Sequence, residues 1–328
     1  MKKRIILVTE PFSEKHIEQI KNIAGEDFFV KILPEKNESK YRMELAEALK
    51  DAELVIGHPP IELLQDVSVN APNLKLIQMT WAGTDIYTRS KLQFPKESVL
   101  LANASGAYGM IISQYVIGLI LSLMLNFKGY HDQQNRKVWN RLGPIKSLEG
   151  AQVLIYGAGD IGTSIAKRLQ GFNTHTVGVC RDLKKERMYF DEICTIQDAE
   201  KYLPEADVVI GCIPNNTDTA GYMNYERMSS MKDDAIIVNV GRGNFIDCIA
   251  LDTLLRNNHL WGAALDVTDP EPLPENHPLW ENKKCIITPH TSGVAFSHLE
   301  ETENLICKIV CENIKRYIEK ENIMNNVF

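Results

Sequence analysis

Short, continuously apolar runs alternate with stretches of helical hydrophobic spacing along the whole chain. In the N-terminal part the apolar runs are Arg4–Thr9, Phe28–Leu33, Leu54–Gly57, Leu74–Thr80 and Val99–Ala102, with helix-like segments such as Ser13–Ile23 and Tyr41–Lys50 between them. Runs of this kind predict strands covered on both faces, and the intervening helices predict parallel pairing. The stretch Met110–Phe127 reads as an apolar helix. A second series of six strand candidates follows: Val153–Tyr156, Thr176–Cys180, Val208–Cys212, Ile236–Val240, Ala263–Asp266 and Ile286–Thr288. Helices are expected at Ile161–Gln170, Ala199–Leu203 and Ala250–Asn257, so the pattern predicts two α/β sheets. No fixed-period repeat or long polar linker separates the two series, so ordered structure must join them. In the tail, Leu305, Ile306, Ile309, Val310, Ile314 and Ile318 fall at helical spacing within Leu299–Ile318, and no strand follows. That helix either docks on the second sheet or returns to cover the first.

At 328 residues the chain is long enough for two domains. Its 44% hydrophobic and 24% charged residues are those of a globular protein, and its formal charge of −7 lacks the basic surplus that nucleic-acid binding needs. The longest mostly apolar stretch, Met110–Leu125, holds Ser113, Gln114 and Ser122 and falls short of the ~20 apolar residues of a membrane span, which predicts a buried helix. Lys2, Lys3 and Arg4 are followed only by Ile5–Val8 before Thr9, too short for the apolar core of a signal peptide, so a cytoplasmic protein is expected. The seven cysteines are irregularly spaced without a C-x-x-C pair, which predicts free thiols. The eight histidines do not cluster, and no metal site is expected.

Candidate chemistry begins at Gly157-Ala158-Gly159-Asp160-Ile161-Gly162, a G-x-G-x-x-G that follows a strand candidate and opens a helix candidate. Glycines at these places allow a tight turn, close approach of backbone to a pyrophosphate and close helix–strand packing, with the helix N-terminus facing the phosphates. A dinucleotide site is the expectation. The end of the second strand of that unit bears on which dinucleotide. It carries Cys180, then Arg181 and Asp182. With no acid at the strand end to repel a 2′-phosphate and Arg181 beside it to pair with one, NADP(H) is favoured and NAD(H) remains possible. The competing reading gives Asp182 the acidic role.

Three further strand ends carry one Arg, acids and one His: Asn239-Val240-Gly241-Arg242-Gly243, Asp266–Pro272 and Thr288-Pro289-His290-Thr291-Ser292-Gly293. Outside such ends, open parallel sheets bind ligands. An arginine can hold a carboxylate bidentately, a histidine can exchange a proton near neutral pH, and a carboxylate beside the histidine orients its ring. Together they suit reduction of a carbonyl.

Leu148-Glu149-Gly150 ahead of the glycine motif, Asn239–Gly243, Ala264–Pro274, His277-Pro278-Leu279-Trp280 and Thr288-Pro289-His290 stand in the order and at the spacing of the D-isomer-specific 2-hydroxyacid dehydrogenases. The chain closely resembles that family over nearly its whole length, and most the glyoxylate/hydroxypyruvate reductase type. The resemblance implies an α/β fold of two Rossmann-like domains with parallel sheets, the C-terminal helix returning to the first. Residues 1–102 and 296–328 would form a flavodoxin-like substrate-binding domain, and residues 103–295 the dinucleotide-binding domain. Arg242 would bind the substrate carboxylate and carbonyl, His290 would be the acid/base, and Glu271 would pair with His290. The backbone N–H groups of Ala82 and Gly83, in the loop Trp81–Asp85, would hold the carboxylate. Asp266 would sit by the nicotinamide-ribose end. Cofactor contacts are expected from Gly157, Gly159, Asp160, Ile161, Gly162, Cys180, Arg181, Asp182, Ile213, Pro214, Val240 and Ser292 as well. Gln114 departs from the Glu common in the family, and Cys180 from the Asp of its NAD-preferring members.

The implied reaction interconverts a small 2-oxo acid and its D-2-hydroxy acid. A non-catalytic dinucleotide-sensing corepressor or scaffold is the alternative, and the joint presence of Arg242, Glu271 and His290 speaks against it. No regulatory domain is expected after Phe328, unlike the longer phosphoglycerate dehydrogenases. The helix Met110–Phe127 is apolar on more than one face, which predicts a homodimer built on it, or else burial between the two domains of one chain. Trp81 and Tyr108 either shape the pocket or belong to the core.

Overall fold

The structure is a computed structural model that describes residues 3–33, 38–215 and 217–328. The first segment runs β1 (Arg4–Val8), α1 (Glu14–Ala24), β2 (Phe28–Ile32), α2 (Glu38–Leu49), β3 (Ala52–Ile56), α3 (Val67–Asn70), β4 (Leu76–Gln78), α4 (Asp85–Thr88) and β5 (Leu100–Ala102). Next come α5 (Gly109–Met124), α6 (Phe127–Asn135), β6 (Gln152–Tyr156), α7 (Asp160–Leu169), β7 (His175–Val179), β8 (Glu192–Cys194) and β9 (Val208–Gly211). The chain continues through α8 (Tyr225–Ser229), β10 (Ile236–Asn239), α9 (Cys248–Arg256), β11 (Gly262–Leu265) and β12 (Cys285–Ile287), and ends in α10 (Glu300–Glu319). It divides into two compact units, Met1–Tyr108 with Val294–Phe328, and Gly109–Gly293.

In the first unit five parallel strands stand in the order β2-β1-β3-β4-β5. Both faces are covered, so Leu7, Val55, Ile77 and Leu101 are buried and pack with Leu45 and Leu49 of α2. α10 belongs to this unit and lies on α1, which settles the tail as a returning helix. A buried polar seam holds it there. His16 Nδ1 is 2.7 Å from Glu303 Oε1, its Nε2 is 2.8 Å from Asn304 Oδ1, and the Ser13 N–H donates to Glu303 at 2.9 Å.

The second unit is a seven-stranded parallel sheet, β12-β11-β10-β9-β6-β7-β8. Strand order reverses at β6, between β7 and β9, as in doubly wound dinucleotide-binding sheets. Leu154, Val209, Ile237 and Leu265 bury one sheet face against Leu251 and Leu254 of α9, whose first turn is capped by the Asp247 carboxylate accepting from Ile249 and Ala250. The six strands expected here are present with ends displaced by no more than one residue, and β8 is a seventh. It is a three-residue edge strand paired with β7, and Glu192-Ile193-Cys194 opens on an exposed acid and shows no apolar run. The helix expected over Met110–Phe127 stops at Met124. Asn126 takes a left-handed conformation, φ 56°, and the separate α6 begins after it; Asn tolerates that conformation better than most residues. Among the described residues no single helix is long and apolar enough to cross a membrane; α5 and α6 reach that only jointly, across a 66° bend. All seven cysteines are free thiols.

Candidate active site

The glycine motif forms the turn between β6 and α7. Gly157 has φ +111°, and a Cβ there would lie 2.8 Å from the Cys212 carbonyl oxygen, so the turn needs glycine twice over. A Cβ on Gly162 would meet the Gly157 carbonyl oxygen at 1.9 Å, which packs the first turn of α7 onto the loop. Gly159 faces open space, and no side chain caps the helix it precedes. Backbone N–H groups at a helix start, open space before them and a tight glycine turn fit a pyrophosphate. Asp160 stands in the first turn of the helix, with its carboxylate accepting from the Gly109 N–H at 3.1 Å.

At the end of β7, the Cys180 N–H donates to the Cys194 carbonyl, which fixes the strand end against β8. The Asp182 carboxylate turns into its own loop and accepts from the Lys184 N–H at 2.9 Å. Arg181 is exposed and makes no hydrogen bond or ion pair among the described residues.

The ends of β9, β10, β11 and β12 form a continuous rim beside the glycine turn. Ile213 and Pro214 follow β9, where burial pushes the neighbouring Cys212 thiol up to about 12. Val240 is buried after β10. The Asn239 side chain donates to the Arg242 carbonyl at 2.9 Å and accepts from the Gly241 N–H, shaping the turn that presents Arg242. The Arg242 guanidinium donates through Nη1 to the Gly241 carbonyl at 2.8 Å. Gly243 packs against the Thr268 carbonyl, joining this turn to the loop after β11.

Asp266, 1% exposed, ties that loop to the one after β12. Its Oδ1 accepts from the Thr288 hydroxyl at 2.7 Å and the Thr291 N–H at 2.9 Å, and its Oδ2 accepts from the Ser292 N–H at 2.9 Å. Its backbone carbonyl accepts from the His290 N–H at 2.8 Å. The tight loop holds His290 at φ +50°, which few non-glycine residues adopt. His290 Nδ1 lies 2.7 Å from Glu271 Oε1, and both side chains are about half exposed. With Nδ1–H donated to the carboxylate, Nε2 is left for a reacting partner. Glu271 stands between two cis peptide bonds, Asp269–Pro270 and Glu271–Pro272.

In the first unit, Ala82 and Gly83 form the bend between β4 and α4. Asn103 Nδ2 donates to the Ala82 carbonyl at 2.8 Å, and neither the Ala82 nor the Gly83 N–H donates to an oxygen among the described residues. Tyr108 is core: it is buried and its hydroxyl donates to the Thr80 carbonyl at 2.8 Å. Trp81 is half exposed and stacks on His58.

Residues 117–292, just over half of the chain, match the D-isomer specific 2-hydroxyacid dehydrogenase, NAD binding domain family. The chain belongs to this family. The matched segment contains the glycine turn, Arg242, Glu271 and His290. An uncharacterised protein of Corynebacterium melassecola is 32% identical over 87% of this chain and 91% of its own. Glyoxylate/hydroxypyruvate reductase A of Citrobacter koseri is 28% identical over 73% of this chain and 76% of its own. The crystal structure of a D-isomer specific 2-hydroxyacid dehydrogenase family protein from Aeromonas salmonicida superposes with a TM-score of 0.84 at 29% identity, covering 100% of this chain and 99% of that one.

This 2-hydroxyacid dehydrogenase family chain thus gathers the motif residues of its second unit at one edge of the sheet, at the strand carboxyl ends. Gln114, the departure from the family pattern on α5, is exposed, with its amide against Met110 Sδ. One arrangement escaped the sequence reading. His58, after β3, bonds Glu10, after β1, at 2.9 Å. The signal available was a histidine at a strand's carboxyl end, in Gly57-His58-Pro59-Pro60; counting histidines for clusters passes over it.

Proposed function

We propose that this protein reduces a small 2-oxo acid to its D-2-hydroxy acid with NAD(P)H, and catalyses the reverse oxidation. The observation that carries the reading is the 2.7 Å Glu271–His290 pair on the same sheet edge as Arg242 and a pyrophosphate-shaped glycine turn. Residues 103–295 serve as the dinucleotide-binding domain, and residues 1–102 with 296–328 as the substrate-binding domain. Gly157, Gly159, Asp160, Ile161 and Gly162 hold the pyrophosphate segment. Ile213, Pro214, Val240, Asp266 and Ser292 line the path toward the nicotinamide. When bound, the nicotinamide supplies the hydride. Arg242 binds the substrate carboxylate and carbonyl, and its guanidinium stabilises the negative charge that develops on the carbonyl oxygen. The Ala82 and Gly83 amides hold the carboxylate. Protonated His290 donates through Nε2 to the carbonyl oxygen, while Glu271 accepts from Nδ1–H and fixes the ring.

NADP(H) is the preferred cofactor in this reading. Arg181 is uncommitted, the Asp182 carboxylate is engaged by the Lys184 N–H, and Cys180 brings no charge to repel a 2′-phosphate. The protein acts as a homodimer through α5, α6 and the chain that follows. Phe127, Tyr130, Val138 and Ile145 are exposed there and Trp139 is 99% exposed, apolar surface that a second copy would cover.

Cofactor oxidation measured with glyoxylate, hydroxypyruvate, pyruvate and 2-oxoisocaproate tests the reaction. Turnover of at least one is expected. Tight cofactor binding with no turnover on any would make the protein a dinucleotide sensor instead.

A further inference from the structure

The turn that carries Arg242 touches the chain after β9 on both sides of the arginine. On one side Gly241 packs directly on backbone, where a Cβ would lie 2.7 Å from the Ile213 carbonyl oxygen and 2.9 Å from its nitrogen. On the other side stands Asn244, in the single helical turn Gly243–Phe245. Its Nδ2 donates to Asn215 Oδ1 at 2.6 Å, and its backbone carbonyl accepts from the Gly221 N–H at 2.7 Å. Farther on, the Met223 N–H donates to the Phe245 carbonyl at 2.9 Å and the Asp247 N–H to the Met223 carbonyl at 3.0 Å. Those backbone bonds do not depend on the side chain at position 244. The Asn215 bond does, and it joins the turn to the residue next to Pro214. The Thr219 hydroxyl donates to the Pro214 carbonyl at 2.9 Å, so this part of the chain is itself braced.

Stability alone does not account for an amide at this position. Asn244 Oδ1 is buried with no hydrogen-bond partner among the described residues. Burying an unpaired carbonyl oxygen costs more than one neutral hydrogen bond returns, and a group left in that state calls for an explanation. We infer that Asn244 is a positioning residue: by bonding Asn215 it sets the angle at which Arg242 meets the substrate, measured against the nicotinamide path. The inference rests on the reaction proposed above, in which Arg242 binds the substrate carboxylate and carbonyl and Ile213 and Pro214 line that path. The packing of Gly241 on Ile213 is one point of attachment, about which the turn can pivot. Asn215 supplies a second point on the far side of Arg242, and two points fix a direction. A guanidinium that binds bidentately needs direction as well as charge, because its fork must meet two acceptor oxygens at once.

The test is steady-state kinetics on Asn244→Ala, Asn215→Ala and the double variant, with the 2-oxo acid that wild type turns over best. Each single substitution should raise KM for that acid at least about fivefold, since a small misplacement of a substrate-holding group is costly. The double variant should be no more than about twofold worse than the poorer single one, because both remove the same bond. Cofactor dissociation constants should stay within about twofold of wild type, the change being confined to Arg242. The thermal midpoint of Asn244→Ala should stay within about 3 °C of wild type, because removing the unpaired carbonyl offsets the lost bond. A merely structural link would act otherwise, lowering kcat through a smaller folded fraction at unchanged KM. That result, single effects that multiply in the double variant, or a cofactor constant that weakens as much as KM would each overturn the inference while leaving the reaction standing. Should Asn244→Ala not fold, KM in Asn215→Ala, at a half-buried position, reads the same bond. No turnover of any 2-oxo acid by wild type would remove the reaction and this inference with it.

Discussion

Replacing Asp266 with Asn should loosen the loop that carries His290. The carboxylate is almost wholly buried and serves three donors, the Thr288 hydroxyl and the Thr291 and Ser292 N–H groups, at 2.7–2.9 Å. An amide of the same shape keeps one acceptor oxygen and presents an NH₂ in place of the other. The Thr288 hydroxyl can rotate and accept from that NH₂, but a backbone N–H cannot. Whichever way the amide is turned, one of the Thr291 and Ser292 N–H groups is left buried and facing a donor. An orphaned buried donor costs about 1–3 kcal/mol, and the surviving bonds lose their charge assistance, so the total loss is roughly 2–4 kcal/mol. Amide hydrogen exchange at Thr291 and Ser292 should then quicken by about 30-fold or more at the 2 kcal/mol end of that range. kcat/KM should fall at least tenfold, since a small misplacement of an acid/base group is costly. Wild-type exchange rates at both amides in Asp266→Asn would refute the idea that this carboxylate positions the loop.

Comparing NADPH with NADH, Arg181→Ala should weaken NADPH use with little change for NADH, and Cys180→Asp should shift preference toward NADH; a wild type that prefers NADH contradicts the strand-end reasoning. Charge-assisted bonds from Arg181 at roughly 1.5–3 kcal/mol before solvent discounts them leave room for tenfold discrimination, which needs only ~1.4 kcal/mol. A hydrogen bond from Arg4, opposed by burial and aided by Tyr317, holds the Glu53 carboxyl below the usual carboxylate range. A depressed folded value stabilises the fold above the unfolded value of ~4.3 and loses that increment as pH falls toward the folded one. The stability gap between wild type and Glu53→Gln should therefore be constant above about pH 5 and shrink below about pH 4 in urea unfolding; a gap that does not change with pH contradicts this. Light scattering should give twice the chain mass of 37.1 kDa, and substituting Trp139 with Glu should shift the species toward monomer; a wild-type monomer at micromolar concentration contradicts the dimer.

Where the sequence was decisive, a local pattern carried the whole physical requirement. The apolar runs that became β6, β7, β9, β10 and β11 are buried on both faces, so each announces itself without its neighbours. The glycine turn needs Gly157 and Gly162 for reasons internal to the loop, and the spacing displays both. The edge strand β8 was illegible because Glu192-Ile193-Cys194 opens on an exposed acid and offers no apolar run. Asn126, which ends α5, was passed over because the apolar spacing continues through it to Phe127. Asp266 was legible as a strand-end acid, but not as the anchor of the His290 loop, since its partners lie 22–26 residues away in sequence. The His58–Glu10 pair was hidden in the same way, because two turns 48 residues apart meet only once β1 and β3 pair.

The central claim is that His290 donates the proton to the substrate carbonyl. It is tested most directly by His290→Asn, measured for kcat/KM in 2-oxo acid reduction alongside cofactor dissociation constants. General acid–base catalysis contributes about 10²–10⁴-fold, so kcat/KM should fall at least about a hundredfold while the cofactor binds within about threefold of wild type. A His290→Asn protein that keeps more than about a tenth of wild-type kcat/KM would show that another group supplies the proton.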